Sequence, residues 1–259
     1  MGQQRSLTFL GTGTSVGVPV IGCSCLVCLS DNPRNQRYRS SVLVRTDRGD
    51  ILIDTGPEMR LQLVREKNTR IKAVIYTHYH ADHILGIDDL RMVAFQLDQP
   101  VPLYCNEEVE KVIRQTFSYA FNNGDFPSRA SIPRLEFHRI DRNPFEVLGQ
   151  HIIPIPLIHG NFEVFGFRIG DMAYCTDVSY VPNSSWDLLA GIRVLIIDAL
   201  RFKPHTAHLS LNEALEVIDR IGPDQAYLTH MSHEFDYNDL NPKLPVGVEM
   251  AYDGLTIEF

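Results

Sequence analysis

One heptapeptide constrains this chain more than any other feature: Thr77-His78-Tyr79-His80-Ala81-Asp82-His83. It follows Ala73-Val74-Ile75-Tyr76, an apolar run of buried-strand type, and precedes the helical pattern 84–97. Three imidazoles and a carboxylate within six residues would demand that a packed core satisfy four polar groups at once, whereas one irregular turn can converge them on a metal ion. A solvated polar loop is the plainer alternative and the weaker one. The fold must therefore present strand ends to a common site, and further ligands are expected at other strand ends. His159 closes the apolar run 152–158, Asp177 closes 172–176 and His230 closes 225–229, each a lone polar residue where a strand pattern yields to a loop.

Short apolar runs rich in Val, Ile, Leu and aromatics predict strands over 6–10, 41–46, 51–54, 73–77, 101–105, 163–169, 172–176, 194–200, 225–229 and 255–259. Spacings of three and four predict helices over 84–97, 107–121 and 211–221. The last is bounded by Ser210 and Glu213 in capping-box register and by Gly222-Pro223. Arg48-Gly49-Asp50 and Gly170-Asp171 read as hairpin turns. With no repeat and no long linker, the expectation is one α/β domain over 1–259, with two β-rich layers and outer helices. The irregular stretch 122–134, after Phe117, Tyr119 and Phe121, reads as a surface connection or a lid.

Cysteine usage adds a second constellation. Cys23, Cys25 and Cys28 fall within six residues, and His233 lies three residues after His230. Three thiols and a distant imidazole make a closed tetrahedral zinc site, which suits a reducing compartment better than a disulfide does. Cys105 and Cys175 read as small buried hydrophobes. No apolar run approaches the ~18 residues of a membrane span, and the start MGQQRSLTFLGTG lacks an apolar leader core, so a cytoplasmic location is expected. A formal net charge of −8 argues against a broad basic face that coats nucleic acid.

The T-H-x-H-x-D-H motif, preceded by Leu52-Ile53-Asp54-Thr55-Gly56 and followed by His159, Asp177 and His230, resembles the metallo-β-lactamase-fold hydrolases. That resemblance implies a four-layer αβ/βα sandwich and a dinuclear site. His78, His80 and His159 would hold one metal and Asp82, His83 and His230 the other, with Asp177 bridging and Asp54 orienting a ligand histidine. Leu10-Gly11-Thr12-Gly13-Thr14-Ser15, the Cys trio with His233, Pro245-x-Gly247 and Tyr252-Asp253-Gly254 narrow the resemblance to the phosphoribosyl 1,2-cyclic phosphate phosphodiesterase family, in which the same trio and second histidine bind zinc.

The expected cofactors are two divalent metals, zinc or manganese, in the active site and one structural zinc. The expected reaction is hydrolysis of a small, cyclic phosphodiester by a metal-bridging hydroxide. Asp82 and His208 count as catalytic. The same resemblance implies that a histidine in the stretch from Asp198 to Ser210 protonates the leaving oxygen, and His208 is preferred to His205 because it precedes the helix N-cap Ser210, where helix-end N–H groups favour phosphate. His80 stands where oxygen-reducing relatives carry Glu, which favours hydrolysis. The partner is a small-molecule phosphodiester, with no membrane and no nucleic acid expected; a homodimer is compatible with the fold.

Two hydrolases on the same scaffold are the alternatives. A tRNA 3′-end nuclease needs a basic arm, for which only Arg34, Arg37 and Arg39 with Tyr38 offer material. A glyoxalase-type thioesterase is disfavoured by the Cys trio and by the lack of an extra basic C-terminal domain. A non-enzymatic metal-storage or regulatory module would keep the zinc site and have no need of His208.

Overall fold

Successive residues along the strands face opposite ways into apolar surroundings, which is why the runs read as continuous rather than alternating. A computed structural model describes residues 5–67, 70–121 and 131–259; most of the irregular stretch 122–134, at 122–130, lies outside the described residues. Strands β1 (Ser6–Gly11), β2 (Ser41–Thr46), β3 (Gly49–Ile53), β4 (Ile71–Ile75), β5 (Val101–Cys105) and β6 (Leu135–Arg139) form one sheet, joined at its β1 edge by the last strand, β14 (Thr256–Glu258). The second sheet runs β13 (Val248–Met250), β12 (Gln225–Thr229), β11 (Val194–Asp198), β10 (Met172–Cys175), β9 (Phe162–Ile169), β8 (Gln150–His159) and β7 (Phe145–Val147).

Phe9, Ile51, Ile53, Ala73 and Ile75 of the first sheet meet Phe167, Ile169, Met172, Tyr174 and Ile196 of the second in a core between the sheets. The intervening residues Leu10, Leu43, Leu52 and Val74 face outward against helices α1 (Met59–Arg65), α3 (Leu90–Leu97) and α4 (Glu107–Thr116). On the far side Leu157, Ala173, Leu195 and Leu228 pack on α5 (Asn183–Leu189), α6 (Leu211–Ile221) and α7 (Tyr237–Leu240). Helices, sheet, sheet, helices: the architecture is the four-layer αβ/βα sandwich. None of the helices among the described residues is long and apolar enough to cross a membrane.

Three differences from the sequence reading have physical causes. The expected helix 84–97 is broken into α2 (Ala81–Ile84), a 3₁₀ turn over 85–89 and α3. At the break a Cβ on Gly86 would lie 2.3 Å from the Gly56 carbonyl, and the Gly86 amide donates to Thr55 O at 2.8 Å, so the chain is pinned against the loop after β3. The helix over 107–121 ends at Thr116, with a 3₁₀ turn at 118–120. Strand β8 was obscured by Pro154 and Pro156. β7 pairs only with residues 150–152 and the bridge to Tyr180 forms only at Ile158, so between them, where the prolines fall, β8 borders β9 alone and the missing N–H groups interrupt no ladder.

Candidate metal centre

The predicted strands over 73–77, 172–176 and 194–200 stop at Ile75, Cys175 and Asp198, so the polar residues that follow turn off the sheets at one end of the sandwich. Asp54, Asp177 and His230 take left-handed backbone conformations, with φ of 64°, 58° and 55°. Such conformations are costly for side chains other than Gly and are retained where a site requires them.

All seven expected metal ligands converge. His78, His80, His159 and Asp177 present ligand atoms within 4.8 Å of one another, and so do Asp82, His83, Asp177 and His230. Asp177 belongs to both groups. Its Oδ2 lies 3.7 Å from His78 Nε2 and 3.8 Å from His159 Nε2, while its Oδ1 lies 3.4 Å from both His83 Nε2 and His230 Nε2. Asp82 Oδ2 sits 3.3 Å from His83 Nε2 and 3.6 Å from His230 Nε2. His80 completes the first group with Nδ1, 3.3 Å from His159 Nε2.

The opposite nitrogens of three of the rings, His83, His159 and His78, are tied down. Asp54 Oδ2 accepts from His83 Nδ1 at 2.8 Å and is itself held by the Thr77 hydroxyl at 2.8 Å, with Oδ1 accepting the Thr77 amide at 2.9 Å. His159 Nδ1 donates to Ala207 O at 2.6 Å, and His78 Nδ1 meets Thr77 Oγ1 at 3.0 Å. These partners fix the tautomers and leave a lone pair of each ring facing the centre. Four of the inward atoms, His78 Nε2, Asp82 Oδ2, His83 Nε2 and His230 Nε2, are buried without a hydrogen-bond partner. A donor set of imidazoles and carboxylates left unsatisfied in this way fits divalent cations.

Electrostatics reflect the same crowding. Burial disfavours the charged form of Asp177, yet His230 and His83 pull its carboxyl well below the usual range. Burial likewise opposes protonation of His83, but Asp82, Asp177 and Asp54 push its imidazole well above the ordinary value. Burial and the neighbouring His83 push His78 the other way.

His208 stands beside this centre, its ring stacked on His230 at 4.7 Å and 4.6 Å from that of His159. Its Nδ1 is 2.7 Å from Asp198 Oδ2, which also accepts the Val178 amide at 3.0 Å. Asp198 is fully buried and has no role in the sequence reading, because it falls inside the run read as a strand over 194–200 rather than at its end. His205 lies farther out, its ring 5.3 Å from that of His208 and its Nδ1 accepting from the Ala207 amide. His138 is remote, stacked on Tyr104 of β5.

The second constellation also assembles. Cys23, Cys25 and Cys28 Sγ lie 3.3, 3.4 and 3.5 Å from His233 Nδ1. A tetrahedron with Zn–S of about 2.3 Å and Zn–N of about 2.05 Å has S···N edges of about 3.6 Å, so the spacing fits zinc. Donation from the Cys28 amide lowers the Cys25 thiol to about 6, favouring a first thiolate there, while burial raises the Cys28 thiol to about 11. By contrast the arginines that offered material for a basic arm each have partners within the chain, although Arg34 remains exposed. Arg34 stacks on Tyr237 and Tyr252, Arg37 is buried, and Arg39 pairs with Glu58.

The profile described as a beta-lactamase superfamily domain matches residues 50–231. A solved structure described as a new diphosphatase from the PhnP family superposes with a TM-score of 0.92 at 42% identity, covering 99% of this chain and 97% of that one. An octanoyltransferase of Porphyromonas gingivalis is 34% identical over 250 residues, 95% of this chain and 50% of that protein. Ribonuclease Z of Methanococcus maripaludis strain C7 is 28% identical over 168 residues, 63% of this chain and 44% of that protein. The chain thus spans half or less of the length of these curated relatives.

Proposed function

We infer, from a chain that belongs to the beta-lactamase superfamily and within it to the PhnP family, that it hydrolyses a small phosphodiester, in the first instance a cyclic one, at two divalent cations. The metal-dependent hydrolase class follows from the family and the donor set; dinuclearity rests on one observation. Asp177 turns one oxygen to His78 and His159 and the other to His83 and His230, the arrangement a bridging carboxylate requires.

Cations held by these residues, zinc or manganese, would supply Lewis acidity, activating water and neutralising phosphoryl charge. The chain's own residues do the rest. Asp54, Thr77 and the Ala207 carbonyl lock the ligand rings, so little reorganisation is needed when charge develops. Asp198 holds the Nδ1 proton of His208, leaving Nε2 to carry the proton that the departing alkoxide needs. Asp82 contributes a carboxylate to the second group rather than a proton-transfer group: His83 and His230 keep it ionised against the burial that opposes this. The Cys23, Cys25, Cys28 and His233 tetrad would hold a zinc that ties the loop after β1 to the turn carrying His230.

The name of the PhnP-family neighbour supports a second reading on the same site, hydrolysis of a linear diphosphate ester. Metal analysis and turnover on a 2′,3′-cyclic nucleotide, a nucleoside diphosphate ester and S-lactoylglutathione separate the readings. Two catalytic metals plus one zinc, with phosphoester cleavage, is the expected result; thioester cleavage alone, or one metal in all, would sink the proposal.

A further inference from the structure

Arg37 is 1% exposed, yet it belongs to a stretch that reads as a solvated basic loop. Its guanidinium reaches across to the turn after β12. Nη1 donates to Ser232 O at 3.1 Å and Nη2 to Phe235 O at 2.7 Å, the carbonyls that flank His233 one residue before and two after. Nη2 also approaches Asn35 Oδ1 at 3.4 Å, and Asn35 in turn fastens the same segment, donating to Asp236 Oδ2 and accepting the Tyr237 amide. The backbone of Arg37 pairs with Val18, in the loop that leads into the cysteines. One residue therefore holds both polypeptide segments that the tetrad joins.

Charge points the same way. A buried guanidinium is costly unless a negative partner offsets it. Burial lowers Arg37 to about 10, and the groups that resist this are Asp253, Asp236 and Cys28. Its Nε is buried without a hydrogen-bond partner. Three thiolates around a divalent cation leave a net charge of −1, which this cation would face.

We propose that Arg37 is a positioning residue for the thiolate zinc: its two donors hold the His233 turn in ligating geometry, and its charge offsets that of the three thiolates. The proposal rests on the tetrad holding zinc, and its test separates the two. Metal-depleted full-length protein is titrated with Co²⁺, whose sulfur-to-metal charge-transfer band reports thiolate ligation, and zinc affinity is then read by chelator competition. Wild type should show the band, Arg37→Met should bind zinc at least tenfold more weakly, and Arg37→Lys, which keeps the charge without the fork, should fall between. The rise in Tm on adding zinc should shrink in the same order, whereas a merely structural role would lower metal-free and zinc-loaded Tm equally. Absence of the band in wild type overturns the zinc reading and this inference with it. A wild-type band with Arg37→Met and Arg37→Lys both within twofold of wild-type affinity overturns this inference alone. Should Arg37→Met not fold, the Arg37→Lys comparison decides by the same criterion.

Discussion

Asp198 and His208 show what a single side chain contributes at this centre. The Asp198 carboxylate is fully buried and its Oδ2 is spent on His208 Nδ1 and the Val178 amide, so the imidazole has one orientation and one free nitrogen. If that nitrogen protonates the leaving group, the loss on mutation must scale with how much the leaving group needs a proton. His208→Ala is expected to lower turnover on a 2′,3′-cyclic nucleotide at least tenfold, and on bis-p-nitrophenyl phosphate far less, with metal content unchanged by elemental analysis. Equal losses on both substrates would remove His208 from proton transfer. The ligand histidines were legible because His78, His80 and His83 crowd into one short turn and His159 and His230 each close an apolar run, where a polar residue has to justify its place. Arg37 was not, because nothing in a run such as Arg34 to Arg39 distinguishes a buried guanidinium from a solvated one.

Among the secondary elements, those bounded by strong local chemistry were read to within a residue or two. Helix α6 begins at the Ser210–Glu213 capping box and stops at Gly222 with φ of 66°, as its sequence demands. Strands buried on both faces announced themselves as apolar runs. Elements defined by tertiary contact did not: short edge strands β6, β7 and β13, the seven-residue helices α1 and α5, and proline-bearing β8 depend on what they pack against. The break between α2 and α3 belongs to this class, since only the approach of Gly56 explains Gly86. Gly86→Ala would place a Cβ against backbone rather than a yielding side chain. A loss of about 1–3 kcal/mol is expected, measured by urea unfolding; an unchanged midpoint would show that the turn can shift.

At the scale of the whole molecule, the first and last parts of the chain meet at Asp253. Its carboxylate accepts the Thr12 hydroxyl and the Tyr38 amide, both at 2.8 Å, and burial raises it to about 6 despite these bonds. The folded state therefore binds this proton more tightly than the unfolded chain. The associated stability is complete below about pH 4 and is lost as pH rises through about 6, an effect of about 2–3 kcal/mol. Unfolding free energies of wild type and Asp253→Asn between pH 4 and 7 should differ by a margin that changes over this window; parallel curves would contradict it. The sandwich and the order of its ligands were legible because motif order follows strand order, whereas the Asp253 tie joins residues more than 200 positions apart and leaves no local trace.

The bridging arrangement of Asp177 carries a mechanical corollary. His78, His80, Asp82 and His83 follow a strand of the first sheet, while His159, Asp177 and His230 end or follow strands of the second. Each ligand group thus spans the seam between the two halves, and bound cations would act as rivets through it, contributing to stability by mass action. Stripping them leaves Asp82 and Asp177 facing one another across that seam. Hydrogen exchange of the Thr55, Thr77 and Val178 amides, all bonded beside the centre, should then accelerate at least tenfold while α6 keeps its protection. Uniform acceleration throughout would mean that the halves are held by their shared core alone, and that the rivets are there for chemistry only.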